Sequence, residues 1–157
     1  MKSVNMSDLG GLDPGDYTGF VYDVLPIKQP SGSEELIGLS KNGAPYIKLA
    51  INVGSFGNIK SDLYMGRLKW FAAQAKVDLT YFAKPVKGGK AEIQFDAFKG
   101  MEVVIRAFND EYTASDNTKK SFLKYELTPT GKFLKGNELK ELIELNKDIP
   151  AKDDAPF

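Results

Sequence analysis

Residues 44–53 alternate between apolar and polar side chains, and this alternation constrains the fold more than any other feature of the chain. Its apolar positions hold Ile47, Leu49, Ile51 and Val53. The positions between them hold Tyr46, Lys48, Ala50 and Asn52. Because successive side chains of a β-strand point to opposite faces, the pattern predicts a strand that buries one face only.

Four other segments carry strand patterns. Residues 16–25 are rich in aromatic and β-branched side chains and follow a turn-forming Asp-Pro-Gly sequence. Further strands are predicted at residues 56–65, 101–108 and 119–129. The last of these is expected to turn three residues inward, namely Leu123, Tyr125 and Leu127. A polar loop is predicted between the last two strands, at residues 109–118.

Two segments have helical spacing. An amphipathic helix is predicted at residues 66–77, where Trp70 is expected to pack in the core or against the end of the sheet. A second helix is predicted at residues 138–146, with Asn137 as its N-cap. Its narrow apolar stripe is expected to pack on the strands and consists of Leu139, Leu142 and Ile143. A short helical turn is also predicted within residues 92–98.

The elements follow in the order strand, strand, strand, helix, strand, strand. This order matches the OB-fold, a five-stranded Greek-key barrel whose helix lies between strands three and four. The predicted fold is therefore mainly β, with an OB-fold domain over residues 1–135. Residues 136–157 are predicted to form a C-terminal helix and a disordered acidic tail.

The composition excludes several kinds of chemistry. The 157 residues include neither cysteine nor histidine, which rules out disulfides, Cys/His zinc sites and catalytic relays that use either residue. The early aspartates could together hold Mg²⁺, but such turn and strand-edge positions commonly carry aspartate. These aspartates are Asp8, Asp13, Asp16 and Asp23. We therefore predict no enzymatic activity, no metal and no cofactor. Residues 1–12 have the features of neither a signal peptide nor a membrane span, so a cytoplasmic location is expected.

The net charge of zero conceals a division along the chain. Residues 1–136 hold 18 lysines and arginines against 15 aspartates and glutamates, whereas residues 137–157 hold three against six. The body is therefore mildly basic and the end is acidic. A mildly basic body suits a polyanion held in one groove, although ordinary charge scatter gives such an excess as well.

The last five residues, Asp-Asp-Ala-Pro-Phe, form a pattern suited to docking on another protein. The Phe157 ring can enter an apolar pocket while its carboxylate and the aspartates meet basic groups at the rim. Pro156 restricts the unbound conformations, so less order is lost on docking. This peptide resembles the acidic C-terminal tip of bacterial and phage single-stranded DNA-binding proteins, which recruits replication and repair enzymes. The resemblance implies a partner-binding set of Asp153, Asp154, Pro156 and Phe157.

A looser resemblance covers residues 15–130. The Gly-Asp-Tyr-x-Gly opening at residues 15–19 and the Asn-Gly-x-Pro-Tyr-Ile-Lys-Leu segment at residues 42–49 are similar to small phage proteins encoded among replication and recombination genes. The resemblances imply a viral protein that binds single-stranded DNA without sequence preference in DNA replication, recombination and repair, within the host cell cytoplasm. The alternative is an OB-fold adaptor that mainly binds proteins. A homo-oligomer is left open, and no membrane partner is expected.

The OB-fold predicts where DNA would lie. Its ligands cross strands two and three, between the loops that join strands one and two and strands four and five. Aromatic rings on this face would stack on bases while lysines contact phosphates, although outward aromatics also serve as cross-strand partners. The predicted DNA-binding residues are Tyr46, Lys48, Asn52, Phe56, Asn58, Lys60, Tyr64, Arg106, Lys119, Lys120, Phe122 and Lys124.

Overall fold

The alternating segments of the sequence form strands, and the computed structural model describes them within residues 12–149 and 151–153. The chain is mainly β, and its last helix lies near the C-terminus. The long strands are β1 (Gly15–Leu25), β5 (Pro45–Asn52), β6 (Asn58–Tyr64), β9 (Met101–Thr113) and β10 (Lys119–Phe133). The short strands are β2 (Ile27–Lys28), β3 (Glu34–Glu35), β4 (Gly38–Leu39), β7 (Ala83–Val86), β8 (Lys90–Ile93) and β11 (Lys152–Asp153). The helices are α1 (Leu68–Gln74), α2 (Leu79–Phe82) and α3 (Gly136–Asn146).

One seven-stranded sheet organises the fold. Its strands follow the order β10, β9, β1, β5, β6 and β11, and β4 joins at β5. Every pairing in this sheet is antiparallel except that of β11 with β6. The hairpins β2–β3 and β7–β8 form two small sheets of their own. The five predicted strands are thus confirmed as the five long strands, with α1 between the third and the fourth.

The alternation in β5 places its apolar residues in the core, as predicted. Ile47, Leu49 and Ile51 are fully buried, and on β10 Tyr125 and Leu127 are 4% and 8% exposed. Complete burial of one such aliphatic side chain contributes about 1.5–3 kcal/mol. Further core residues come from the helices and the connection after β8, and these are Leu68, Phe71, Ala72, Phe82 and Phe98. The core therefore fixes which face of β5 and β6 is left for other contacts.

The sheet is not closed within the described residues. β6 and β10 end the series of long strands on opposite sides, and no ladder joins them. The mainly β class, the antiparallel pairing and the C-terminal helix are confirmed. Closure into a five-stranded barrel is not confirmed.

The connection between the last two long strands differs from the prediction. Residues 109–118 were expected to form a polar loop, but residues 109–113 continue β9 and pair with the start of β10. Only residues 114–118 form the turn, in which the Ala114 amide donates to the Thr118 carbonyl at 2.9 Å. The rings of Tyr112 and Phe122 meet edge to face at 5.6 Å, and this cross-strand contact supports the extended hairpin. We call residues 109–123 the hairpin arm.

Two helix predictions also require correction. Trp70 is 41% exposed, because Leu68 and Phe71 occupy the core-facing side of α1 and leave the indole on the opposite side. Asn137 is not the N-cap of α3, because the helix begins at Gly136 and its N-cap is Lys135. The predicted packing of the apolar stripe is consistent with the half-buried state of Leu139, Leu142 and Ile143.

Part of the segment after α3 forms a short strand. The sequence predicted a disordered tail after the helix, but β11 pairs with β6 in parallel, Lys152 opposite Ile59 and Asp153 opposite Lys60. Asp154, Pro156 and Phe157, three of the predicted partner-binding residues, lie outside the described residues. Within the part of the chain that is described, no helix has the length and apolarity to cross a membrane.

Candidate nucleic-acid interface

A concave surface opens where β6 and β10 separate. The end of β6, the turn Met65–Arg67 and the start of α1 form one wall, and residues 122–127 of β10 form the other. The cavity between the walls has a volume of about 430 Å³. Its lining brings together Tyr64, Phe122 and Lys124, three of the residues predicted to bind DNA.

A second cavity of about 610 Å³ continues this surface toward the connection that precedes β5. It is lined by residues 39–42 and Ala44 of that connection, and by Tyr46. Asp62 and Tyr64 line both cavities, so the two adjoin each other and are described together as one depression. We call this depression the β6–β10 groove and define it by Lys41, Tyr46, Asp62, Tyr64, Arg67, Phe122, Lys124 and Glu126.

Aromatic rings lie on both sides of the β6–β10 groove. Tyr46 and Tyr64 are paired across β5 and β6, with ring centroids 5.4 Å apart and planes tilted by 40°. Tyr64 is 40% exposed, and Tyr46 is half-buried. On the other wall the half-buried Phe122 contacts Tyr112 of the hairpin arm. Exposed ring faces of this kind can stack on unpaired bases.

Carboxylates accompany three of the six predicted cations. Lys48 Nζ lies 3.0 Å from Asp62 Oδ1, and the two side chains are 20% and 28% exposed. Lys124 Nζ lies 4.0 Å from Asp110 Oδ2. Arg106 Nη1 lies 3.7 Å from Glu126 Oε2, although its side chain is 65% exposed. The ion pairs lower the positive potential that these three residues offer to a phosphate.

Two predicted DNA-binding residues are covered by the end of α3. Asn58 is 1% exposed and accepts a hydrogen bond from Asn52 Nδ2 at 2.8 Å. The same Asn52 nitrogen donates to Asn146 Oδ1 at 3.0 Å, and Asn146 Nδ2 donates to the Leu142 carbonyl at 2.8 Å. Both asparagines point away from the sheet core, as the alternation predicted. In this structure, however, Asn52 is half-buried and binds the helix, and Asn58 is buried and binds Asn52. Lys60 is half-buried on the strand edge that pairs with β11.

The remaining predicted residues lie at separate places. Phe56 is 51% exposed and contacts the Tyr17 ring at 5.0 Å, in a concavity that shares no residue with the β6–β10 groove. It lies in a 3₁₀ turn before β6, not in the strand as expected. Lys119 and Lys120 are exposed on the hairpin arm. The structure therefore groups part of the predicted set around the groove and leaves the rest at its margins or beyond.

Some lining residues were not predicted from the sequence. Arg67 fell within the predicted helix at residues 66–77, and Asp62 fell within the predicted strand at residues 56–65. Lys41 lies in the long connection before β5, whose path the sequence pattern does not define. Alternation could have identified Asp62 as the cross-strand partner of Lys48, because the two are opposite in the β5–β6 register.

Comparison of the sequence with models of known protein families and with curated proteins gives no match. Among the residues that the structure describes, no three His, Cys, Asp or Glu side chains come together in a metal-binding arrangement. Of the four aspartates considered from the sequence, Asp8 lies outside the described residues.

Proposed function

We propose that the chain binds single-stranded DNA without sequence preference and acts in phage DNA replication, recombination and repair. The observation that carries this proposal is the β6–β10 groove, in which Tyr46, Tyr64 and Phe122 line one depression together with basic side chains. Unpaired DNA requires this combination, because its bases stack on aromatic rings while its phosphates attract cations. Each stacked base contributes about 1–3 kcal/mol.

The strand order supports the proposal. When only the long strands are numbered, the sheet runs five, four, one, two, three. This is the order expected of a partly open OB-fold barrel, with its gap between strands three and five. The β6–β10 groove lies at this gap, beside strands two and three and the arm that joins strands four and five. OB-folds bind oligonucleotides on this side.

The C-terminal peptide adds a second activity to the proposal. Asp153, Asp154, Pro156 and Phe157 would recruit replication or recombination enzymes, with the phenylalanine ring as the anchor. The support for this part is the resemblance of the peptide to the tips of single-stranded DNA-binding proteins. The acidic balance of residues 137–157 agrees with it, because an acidic peptide suits a basic rim on the partner.

Binding to a fluorescein-labelled oligothymidylate at increasing salt tests the DNA part of the proposal. We expect binding at low salt and a steady loss of affinity as salt rises, because phosphate contacts release counterions. Competition by unlabelled oligonucleotides of different sequence should be about equal. Absence of binding at low salt would refute the proposal.

A protein adaptor is the second candidate function. The ion pairs of Lys48, Lys124 and Arg106 favour it, because paired cations contribute less to phosphate binding. The same titration separates the two functions. An adaptor should recover partner proteins through its C-terminal peptide while failing to bind the oligonucleotide.

A further inference from the structure

The side chains of Arg67 and Trp70 form an exposed pair beside the β6–β10 groove. The Arg67 guanidinium carbon lies 4.6 Å from the centre of the Trp70 ring, within the range of a cation–π contact. Trp70 keeps 41% of its surface exposed, because α1 uses Leu68 and Phe71 to reach the core. The pair thus places a cation over one face of an exposed aromatic ring.

The pair lies at the end of the proposed DNA path. Arg67 lines the same cavity as Tyr64 and Phe122, and its partner Trp70 is one helical turn further along α1. The turn Met65–Arg67 follows Tyr64 directly, so the tyrosine and the arginine belong to the same wall of the groove. A polymer that stacks on Tyr64 and continues toward α1 would pass this pair.

The charge of Arg67 differs from that of three of the cations predicted to bind DNA. No carboxylate among residues 12–149 forms an ion pair with it, whereas Lys48, Lys124 and Arg106 each have one. Arginine on an aromatic ring keeps most of its N–H donors available for a phosphate. A purely structural cation–π pair would also have this geometry, and it would stabilise α1 without contacting a ligand.

We propose that Arg67 and Trp70 are part of the single-stranded DNA-binding surface, with the Trp70 indole stacked on a base and the Arg67 guanidinium bound to the adjacent phosphate. This inference rests on the proposed function and extends its site from the sheet to the first helix. It was not predicted from the sequence, which placed Trp70 in the core or against the end of the sheet.

The fluorescence of Trp70 tests the proposal without any substitution, because it is the only tryptophan in the chain. We expect an unlabelled oligothymidylate to quench the emission and to shield the indole from acrylamide as binding saturates. Affinity is measured separately by the anisotropy of a labelled oligothymidylate. Trp70→Ala should weaken binding about 5- to 100-fold, and Trp70→Phe should recover most of the loss, because a stacking ring is restored.

Arg67→Ala should weaken binding about tenfold, and Lys69→Ala is its matched control. Lys69 is an exposed cation of the same helix that does not line the cavity, so its removal should change affinity less than threefold. Thermal unfolding of each variant checks that the fold is retained.

Unchanged emission at saturation, or normal affinity of both Arg67→Ala and Trp70→Ala, would overturn this inference and leave the proposed function standing. A failure of the wild-type chain to bind the labelled oligothymidylate would overturn both. Equal losses in Arg67→Ala and Lys69→Ala would also contradict it, since they would reflect net charge alone.

Discussion

Tyr46 and Tyr64 lie directly opposite each other on β5 and β6, with ring centroids 5.4 Å apart. Cross-strand aromatic pairs stabilise a sheet by about 0.2–1 kcal/mol, which accounts for the contact without a ligand. Tyr64 nevertheless keeps 40% of its surface exposed, and it lines the β6–β10 groove. The pair therefore has room for a second role in ligand stacking.

Replacement of Tyr64 by alanine tests that role. We expect Tyr64→Ala to weaken oligothymidylate binding by about 1–3 kcal/mol, because one stacking surface is lost. Tyr81→Ala is the control, because Tyr81 is 42% exposed but does not line the groove. Anisotropy titrations give the affinities, and thermal unfolding corrects for any loss of stability. Equal affinities for the two variants would place the ligand elsewhere.

Release of Lys48 from its carboxylate should strengthen DNA binding. In Asp62→Asn the lysine keeps its position but no longer faces a negative charge 3.0 Å away. We expect higher affinity and a steeper salt dependence, because removal of the Asp62 charge raises the positive potential at Lys48. Asp78→Asn removes one exposed charge at the start of α2, outside the groove lining, and serves as the control for net charge. The salt slopes of the two variants are compared by anisotropy, and identical slopes would argue against phosphate contact at Lys48.

Loss of the Asn146 side chain should destabilise the fold. Asn146→Ala removes the acceptor for Asn52 Nδ2 and leaves that donor partly buried without its second partner. We expect the free energy of unfolding to fall by about 1–3 kcal/mol. Asn137→Ala changes an exposed asparagine at the other end of α3. It should lower the free energy of unfolding by less than about 0.5 kcal/mol. Urea unfolding of both variants decides whether the buried network anchors the helix.

The stability of the fold should decline at alkaline pH through Tyr22. Burial raises the pKa of the Tyr22 phenol from 10.0 to about 12, and the neighbouring Asp23 carboxylate adds to the shift. Because the folded pKa lies above the unfolded one, this contribution is complete below pH 10 and is lost as the pH rises toward 12. Its size is about 2–3 kcal/mol.

Replacement by phenylalanine isolates this effect. Tyr22→Phe has no proton to lose, so its free energy of unfolding should fall less than that of the wild type between pH 10 and 12. Urea unfolding across this range measures the difference. Parallel pH profiles would mean that the Tyr22 phenol titrates normally.

The C-terminal peptide should act on partner proteins and not on DNA affinity. Deletion of residues 153–157 should leave oligothymidylate binding unchanged or slightly stronger, because a peptide of the same charge sign as DNA is removed. Phe157→Ala alone should remove most of the recovery of replication proteins in pull-downs, because the ring is the apolar anchor. Asp148→Ala, which removes an acidic residue ahead of the peptide, is the control. Equal recovery by the intact and truncated chains would show that the peptide does not recruit partners.

Alternation predicted the long strands well because burial of one face determines their register. Ile47, Leu49 and Ile51 lie in the core for this reason. The contacts of the outward face of the strands were harder to predict, because they depend on which other element packs on that face. Nothing in the local pattern of Asn58 indicates that Asn146, far away in the chain, belongs to the same hydrogen-bonded group. Trp70 shows the opposite error, because a residue predicted to be packed is exposed. Leu68 and Phe71 occupy the core-facing side of α1, and the larger indole lies on the solvent side.

The position of β1 in the middle of the sheet has a consequence for how the chain acquires its fold during synthesis. Its register pairs Val24 with Leu49 on one side and Gly15 with Ala107 on the other. The first partner leaves the ribosome soon after β1, so the β1–β5–β6 meander can form early. The second partner, β9, emerges only after α1, α2 and the β7–β8 hairpin. Until then one edge of β1 remains unpaired. Such distant pairing slows folding and leaves a strand edge open to neighbouring chains in the interval. The nascent chain is therefore most exposed to misassociation before β9 has been made.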